Sequence, residues 1–182
     1  MGTPDFAVPS LKALFKNDYN VLTVVTQPDR PKGRGRKVIP PPIKKVAQNI
    51  GYDVIQPVSV KNQDFLNTIS KLKPDMFIVI AYGHILSNNI LSIPKTGAIN
   101  LHASLLPKYR GPAPIQWAII NGEKETGVTA MLMDEGMDTG NILLSLKEKI
   151  TAIDTSATLH DRLAVLSADL LIKTLESFEN ND

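Results

Sequence analysis

The residues best suited to chemistry lie between Asn100 and Asp138. In GAINLHASLLPKYRGPAPIQW, residues 97 to 117, Asn100 and His102 are two apart. On a strand over Ala98 to His102 they share one face at its carboxyl end, where open parallel sheets place their ligand crevices. A carboxamide is neither acid nor base near neutrality, but its N–H groups stabilise a developing oxyanion, and an imidazole exchanges a proton in that range. The segment MDEGMDTGN, residues 133 to 141, offers Asp134, Glu135 and Asp138 in a glycine-punctuated loop between two strands. Asp138 set beside His102 favours the charged ring. Together these groups polarise an acyl carbonyl and take a proton from an attacking amine. The plainer alternatives are a structural histidine in an apolar strand and an acidic turn.

Other chemistries fit the sequence less well. No G-x-S-x-G elbow surrounds Ser104, and the LLP that follows leaves no helix for such a turn to open. His84, His102 and His160 are widely separated and lack the H-E-x-x-H spacing of a metal site. There is no cysteine, which excludes disulfides, thiol catalysis and thiolate ligands and fits a reducing compartment. The turn GTP at 2–4 holds one glycine and is not a dinucleotide fingerprint.

A site of this kind needs a rigid frame. Apolar runs rich in β-branched residues recur at Val21 to Thr26, Asp53 to Ile55, Met76 to Tyr82, Ala98 to His102, Gly127 to Met133 and Asn141 to Leu146. Most are continuously apolar, the pattern of strands covered on both faces. Helical periodicities fall between them: Leu11, Leu14 and Phe15 after Pro9; Val46 and Ile50; Phe65, Ile69 and Leu72; and a long face from Leu159 to Leu175. The alternation predicts an α/β, doubly wound, mostly parallel sheet.

Length and charge complete the reading. The 182 residues are 43% hydrophobic, enough for one globular domain or a domain and a fragment. Twenty basic and 18 acidic side chains leave a net charge of only +2. The distribution is uneven, for the 17 residues from Asp29 to Lys45 hold seven basic side chains and one acidic one. That segment, with its prolines and glycines, reads as a long exposed loop leading into a helix near Ile43. The apolar runs are too short to span a bilayer and no signal segment opens the chain, so a cytoplasmic protein is expected.

The span NLHASLLPKYRGPAPIQWAIINGEKETGVTAMLMDEGMDTGNIL resembles the signature region of the folate-dependent formyltransferases. The family pattern is matched by Asn100, His102, Ser104 to Pro107, and Asp138 to Gly140. The resemblance reaches from Gly2 to about Leu175. GTPDFAVPSLKAL and TQPDRPKGRGRKVIPPPIKKVA resemble the branch that acts on methionyl initiator tRNA. It implies formyl transfer from 10-formyltetrahydrofolate, without a metal, to the α-amino group of the esterified methionine in translation initiation. The implied roles are Asn100 and His102 as oxyanion donors and Asp138 as the partner of His102. Ser104, Leu105, Leu106 and Pro107 shape the folate site, with Ile85, Leu86, Asp134 and Gly136 around the pterin. Arg30, Lys32, Arg34, Arg36 and Lys37 form an arm that contacts phosphates and the acceptor end of a tRNA. A monomer is expected, in the cytoplasm or an organelle matrix of equivalent origin. The alternatives are a formyltransferase for a small amine, either a ribonucleotide or an amino sugar, and an inactive module that binds folate or tRNA.

Compared with that family, the sequence is expected to lack the apolar first strand before the GTP turn. It is also expected to lack a β-barrel second domain, leaving residues 1–176 as the catalytic domain and 177–182 as the start of a linker. Without its first strand the sheet should carry a gap with unpaired edges.

Overall fold

The computed structural model describes residues 1–32 and 35–180. Eight strands are present among them: β1 Val24–Val25, β2 Arg30–Lys32, β3 Lys37–Ile39, β4 Val54–Ile55, β5 Phe77–Val79, β6 Ala98–His102, β7 Glu125–Leu132 and β8 Ile142–Lys149. The helices are α1 Val8–Lys16, α2 Pro42–Ile50, α3 Gln63–Lys71, α4 Asn88–Leu91, α5 Pro114–Ile120 and α6 Ser156–Glu179. A single 3-10 turn over Asp5–Ala7 precedes α1. No helix among the described residues is long and apolar enough to cross a membrane.

The sheet is mixed. β1 pairs with β4 and β5 with β6 in parallel, whereas β7 runs antiparallel to both β6 and β8. β7 is buried along almost its whole length, and burial on both faces looks the same in sequence whichever way a strand runs. That is why the expected mostly parallel sheet gives way on this side to an antiparallel one. The alternation of side chains divides the core in two. Ile99, Leu101, Val128 and Ala130 face Leu159, Leu163, Leu170 and Leu171 of α6. Phe77, Val79 and Ala98 face Phe65 and Ile69 of α3 and Ile90 of α4. Each of the four α6 leucines is fully buried, and burial of that kind contributes about 1.5–3 kcal/mol per side chain.

α6 begins where Thr155 accepts the Thr158 N–H (3.2 Å) and Thr158 returns the bond to the Thr155 N–H (3.0 Å), satisfying two donors that a helix start leaves open. Arg162 then ties the helix to Glu148 on β8 (2.8 Å) and to Asp154 (2.6 Å). The Arg162 guanidinium, followed by bonds from Thr151 and Thr158, holds the Asp154 carboxyl far below the usual carboxylate range. α6 runs to Glu179 without a break at residue 176.

Between β1 and β5, Met1 and Gly2 carry ladder bonds to both neighbours. The Gly2 N–H donates to the Val25 carbonyl (2.9 Å) and the Ile80 N–H to the Met1 carbonyl (2.9 Å), while the terminal amine of Met1 donates to the Ile78 carbonyl. A cavity of about 640 Å³ continues the line of these two residues, walled by Leu11, Val21, Val24, Phe77 and Ile78. Burial lowers the Met1 amine to about 5 from an ordinary 8.0. Its folded form therefore binds fewer protons than the unfolded chain between those values, and stability rises with pH across that window, at most about 1.4 kcal/mol per pH unit. Urea midpoints of this chain at pH 5, 6.5 and 8 are expected to increase in that order, and a flat series would refute the assignment.

Candidate active site

β6 forms over the residues the alternation predicts, and it presents Asn100 and His102 on the face away from α6. β7 determines the rest. Because it runs antiparallel, its outgoing loop leaves beside the start of β6, where the Met133 N–H donates to the Ala98 carbonyl (2.8 Å). The loop then folds back over the Asn100 face. Gly140 permits this, since a Cβ at that position would collide with the Leu132 carbonyl oxygen. The turn is braced from inside by Asp134, whose Oδ1 accepts from the Gly136 N–H (3.0 Å) and the Thr139 hydroxyl (2.7 Å). Gly140→Ala is expected to destabilise the fold by about 1–3 kcal/mol through this backbone collision, read as a lower urea midpoint; an unchanged midpoint would show that the loop has room to give.

The fold-back makes Asp138 the hub of the site, with a backbone in the left-handed region (φ 53). Its Oδ1 accepts from Asn100 Nδ2 (3.2 Å), and its Oδ2 accepts from the Gly111 N–H (2.8 Å) and lies 3.4 Å from His102 Nδ1. The other ring nitrogen of His102, Nε2, donates to the Tyr109 carbonyl (2.8 Å). A main-chain carbonyl accepts only, so this bond keeps a proton on Nε2 and leaves Nδ1 as the nitrogen facing the carboxylate. Among the described residues Asn100 Nδ2 donates to Asp138, which leaves its second amide hydrogen free.

These groups open into a cavity of about 730 Å³. Ile85 and Leu86 form part of its wall, and Asp134, Gly136 and Met137 overhang it. Tyr82 lines it too, with a buried hydroxyl that has no partner among the described residues; burial pushes that phenol up to about 12, so it stays neutral. His84 stands beside Tyr82, ring centroids 5.2 Å apart, and its Nε2 is likewise buried without a partner. Among the described residues no three His, Asp or Glu side chains are grouped as metal ligands.

Ser104, Leu105, Leu106 and Pro107 are not on the cavity wall. Ser104 is fully buried, donating to the Lys108 carbonyl (2.6 Å), and its own carbonyl accepts from the Thr129 hydroxyl (2.7 Å). Leu105 packs against Gly127, and the Leu106 N–H donates to Thr129 (3.1 Å). This run braces the end of β6 from behind. The groups that sequence reading missed are the Tyr109 carbonyl and the Gly111 N–H, together with Phe6 and His160 on the far wall.

In the basic segment, residues 30–32 pair with residues 37–39. β2 and β3 form an antiparallel hairpin, Arg30 opposite Ile39 and Lys32 opposite Lys37, where an irregular loop is expected from the sequence. At its base Asp29 accepts from Lys44 (2.8 Å) and Gln56 (2.7 Å), which holds the Asp29 carboxyl below its usual range, the Gln56 bond contributing most. Arg30, Arg36 and Lys37 are exposed, and none has a carboxylate within ion-pair distance among the described residues. Arg34 lies outside the described residues, as does the side chain of Lys32. The hairpin leaves β1 at the carboxyl edge of the parallel strands, the edge at which β6 presents His102.

Comparison with known proteins gives a consistent result. The family described as formyl transferase matches residues 1–175. A methionyl-tRNA formyltransferase of Pelotomaculum thermopropionicum is 60% identical over 176 residues, covering 97% of this chain and 56% of the relative. The chain thus spans little more than half the length of that relative. In fold it is similar to a phosphoribosylglycinamide formyltransferase from Bacillus halodurans, with a TM-score of 0.80 at 20% identity over 97% of this chain and 92% of that one. It is also similar to a sugar 3N-formyl transferase solved in the presence of dTDP and 5-N-formyl-THF, with a TM-score of 0.71 at 24% identity over 99% and 61%.

Proposed function

The chain belongs to the formyl transferase family, and on that premise we propose that it transfers the formyl group of 10-formyltetrahydrofolate to the α-amino group of methionyl initiator tRNA. The observation that carries this reading is the convergence of Asn100, His102 and Asp138 on one cavity wall. The exposed basic hairpin on the same edge of the sheet extends it to an RNA-borne amine.

The neutral amine attacks the formyl carbon, forming the new C–N bond and placing negative charge on the formyl oxygen. Asn100 directs its free N–H at that oxygen. His102 Nδ1, when protonated, shares its hydrogen between the oxygen and Asp138, a division that the long 3.4 Å contact allows. Collapse breaks the bond from the formyl carbon to N10 of the folate. The proton lost by the amine passes through Asp138 and water to N10, so that the products are the formylated methionyl ester and tetrahydrofolate. The apolar wall around Ile85 and Leu86 takes the pterin, with Asp134 and Gly136 across from it. In this reading Ser104 to Pro107 support the folate site from behind the strand.

The test is formylation of methionyl initiator tRNA by the chain with 10-formyltetrahydrofolate, with His102→Ala as the control. Transfer that disappears in the control supports the reading. Formylation of an amino-sugar nucleotide or glycinamide ribonucleotide, but not of the tRNA, would replace it with the small-amine alternative.

A further inference from the structure

We propose that the Tyr109 side chain is a positioning residue that sets the protonation pattern of His102 by fixing Tyr109's own carbonyl. Tyr109 has a left-handed backbone (φ 56), a conformation that costs a non-glycine residue on the order of 1–3 kcal/mol and persists only where its surroundings impose it. The surroundings are explicit. The phenol donates to Glu123 Oε1 (2.7 Å) and accepts from Asn121 Nδ2 (3.0 Å). Both partners sit just beyond α5, which is anchored by the buried Ile115 and Ala118. The Glu123 carboxyl lies below its ordinary range, held there first by the Tyr109 hydroxyl and then by Lys108. The ring is therefore pinned at its tip, and the main chain behind it is pinned with it.

The consequence falls on His102. Its Nε2 has the Tyr109 carbonyl as partner, and that acceptor keeps Nε2 protonated. Nδ1 is thereby left as the nitrogen that faces Asp138. If the tyrosine is released, the backbone relaxes out of the left-handed region and the carbonyl swings off Nε2. The Asp138 carboxylate is then the remaining acceptor, so the neutral ring carries its proton on Nδ1 and leaves Nε2 unpaired. Sequence spacing gives no hint of this route, because the contact to His102 is made by the main chain and the anchor lies 12 and 14 residues away.

This inference rests on the proposed formyl transfer for its kinetic arm only. Tyr109→Phe is expected to lower kcat about 10-fold, a usual size for the loss of an orienting partner, with KM for both substrates within twofold and an altered pH–rate profile. Glu123→Ala leaves the Asn121 bond to the phenol (3.0 Å) and should give part of that defect, and the double variant no more than Tyr109→Phe alone, since the Glu123 bond is one of the two the phenol makes. Lys108→Met, which removes the other partner of Glu123 (3.0 Å) but leaves the phenol pair, should keep wild-type kcat. The second arm needs no substrate: nitrogen-15 NMR of the His102 ring in the free chain is expected to report a proton on Nε2 in the wild type and its loss from Nε2, with Nδ1–H facing Asp138, in Tyr109→Phe. Unchanged ring signals in Tyr109→Phe would overturn the proposal. So would a rate loss in Lys108→Met equal to that in Tyr109→Phe, which would mean general loosening. A wild-type chain that shows the expected ring signals but no formyl transfer would remove the proposed function while leaving the positioning role intact.

Discussion

Asn100→Ala is expected to lower kcat for formyl transfer by about 10²–10³, with KM for folate and tRNA nearly unchanged. The size follows from the removal of one preorganised donor from an oxyanion, about 2.7–4 kcal/mol of transition-state stabilisation. The lost interaction is made mainly in the transition state, so it appears in kcat rather than in KM. The structure also indicates that the variant folds. Asp138 keeps the Gly111 N–H at 2.8 Å and His102 at 3.4 Å, so the loop retains two of its three attachments to this carboxylate. Asn100→Asp sharpens the test. It replaces the donor 3.2 Å from Asp138 with a second carboxylate, and two such groups cannot both ionise cheaply, so the pair takes up a proton at a higher pH than a lone carboxylate does. Activity in that variant should be lower than in Asn100→Ala at neutral pH and should recover as the pH is lowered toward the range where the pair shares a proton. Single-turnover rates measured from pH 5 to 8 decide the matter. If Asn100→Ala keeps more than a tenth of the wild-type rate, the amide is not an oxyanion donor.

The site was legible where side chains carry the information. Ala98 to His102 could be read residue for residue, because a short apolar run after Gly97 leaves little else for Asn100 and His102 to be than neighbours on one face. Asp138 was legible as a carboxylate in a glycine-bearing loop, but its route to the site was not. That route depends on the direction of β7, and a strand buried on both faces does not disclose its direction. The close approach of Gly140 to the Leu132 carbonyl is what turns the loop over. The groups missed outright, the Tyr109 carbonyl and the Gly111 N–H, belong to the main chain, which has no side-chain signature.

The Ser104 to Pro107 run has structural contacts of its own. Family resemblance assigns it to the folate site, yet the side chain of Ser104 is spent on the Lys108 carbonyl and that of Thr129 on the carbonyl of Ser104. A motif can persist because it holds a strand end as well as because it touches a ligand. The hairpin of β2 and β3 was hidden for a related reason. Proline and glycine argue for irregular structure, whereas here Pro31 sits in a two-stranded edge, the one place in a sheet where its missing donor is tolerated.

The basic hairpin carries the second large effect. Arg30, Arg36 and Lys37, replaced together by alanine, should raise KM for methionyl-tRNA by roughly 10- to 100-fold near 0.1 M salt and leave kcat within about twofold. The cations are exposed and free of carboxylate partners among the described residues, so removing them breaks no ion pair of the fold. The Asp29, Lys44 and Gln56 contacts that anchor the hairpin's base are untouched. Cations that neutralise phosphates release the counterions condensed on the RNA, and each lost phosphate contact takes about 0.7–0.9 from the slope of log affinity against log salt. Three contacts correspond to a slope lower by about 2, a signature that a merely unfolded variant cannot imitate. The charge also has to be where it is: the segment from Asp29 to Lys45 contains seven of the chain's 20 basic residues and one of its 18 acidic ones, so the rest of the chain is net acidic and would repel an RNA. Restoring Arg36 alone should recover about a third of the slope. Measuring KM for the tRNA at several salt concentrations, with the KM for 10-formyltetrahydrofolate as internal reference, separates the outcomes. Equal slopes for the variant and the wild type would remove the hairpin from tRNA binding, while a parallel rise in both KM values would place the damage at the folate cavity.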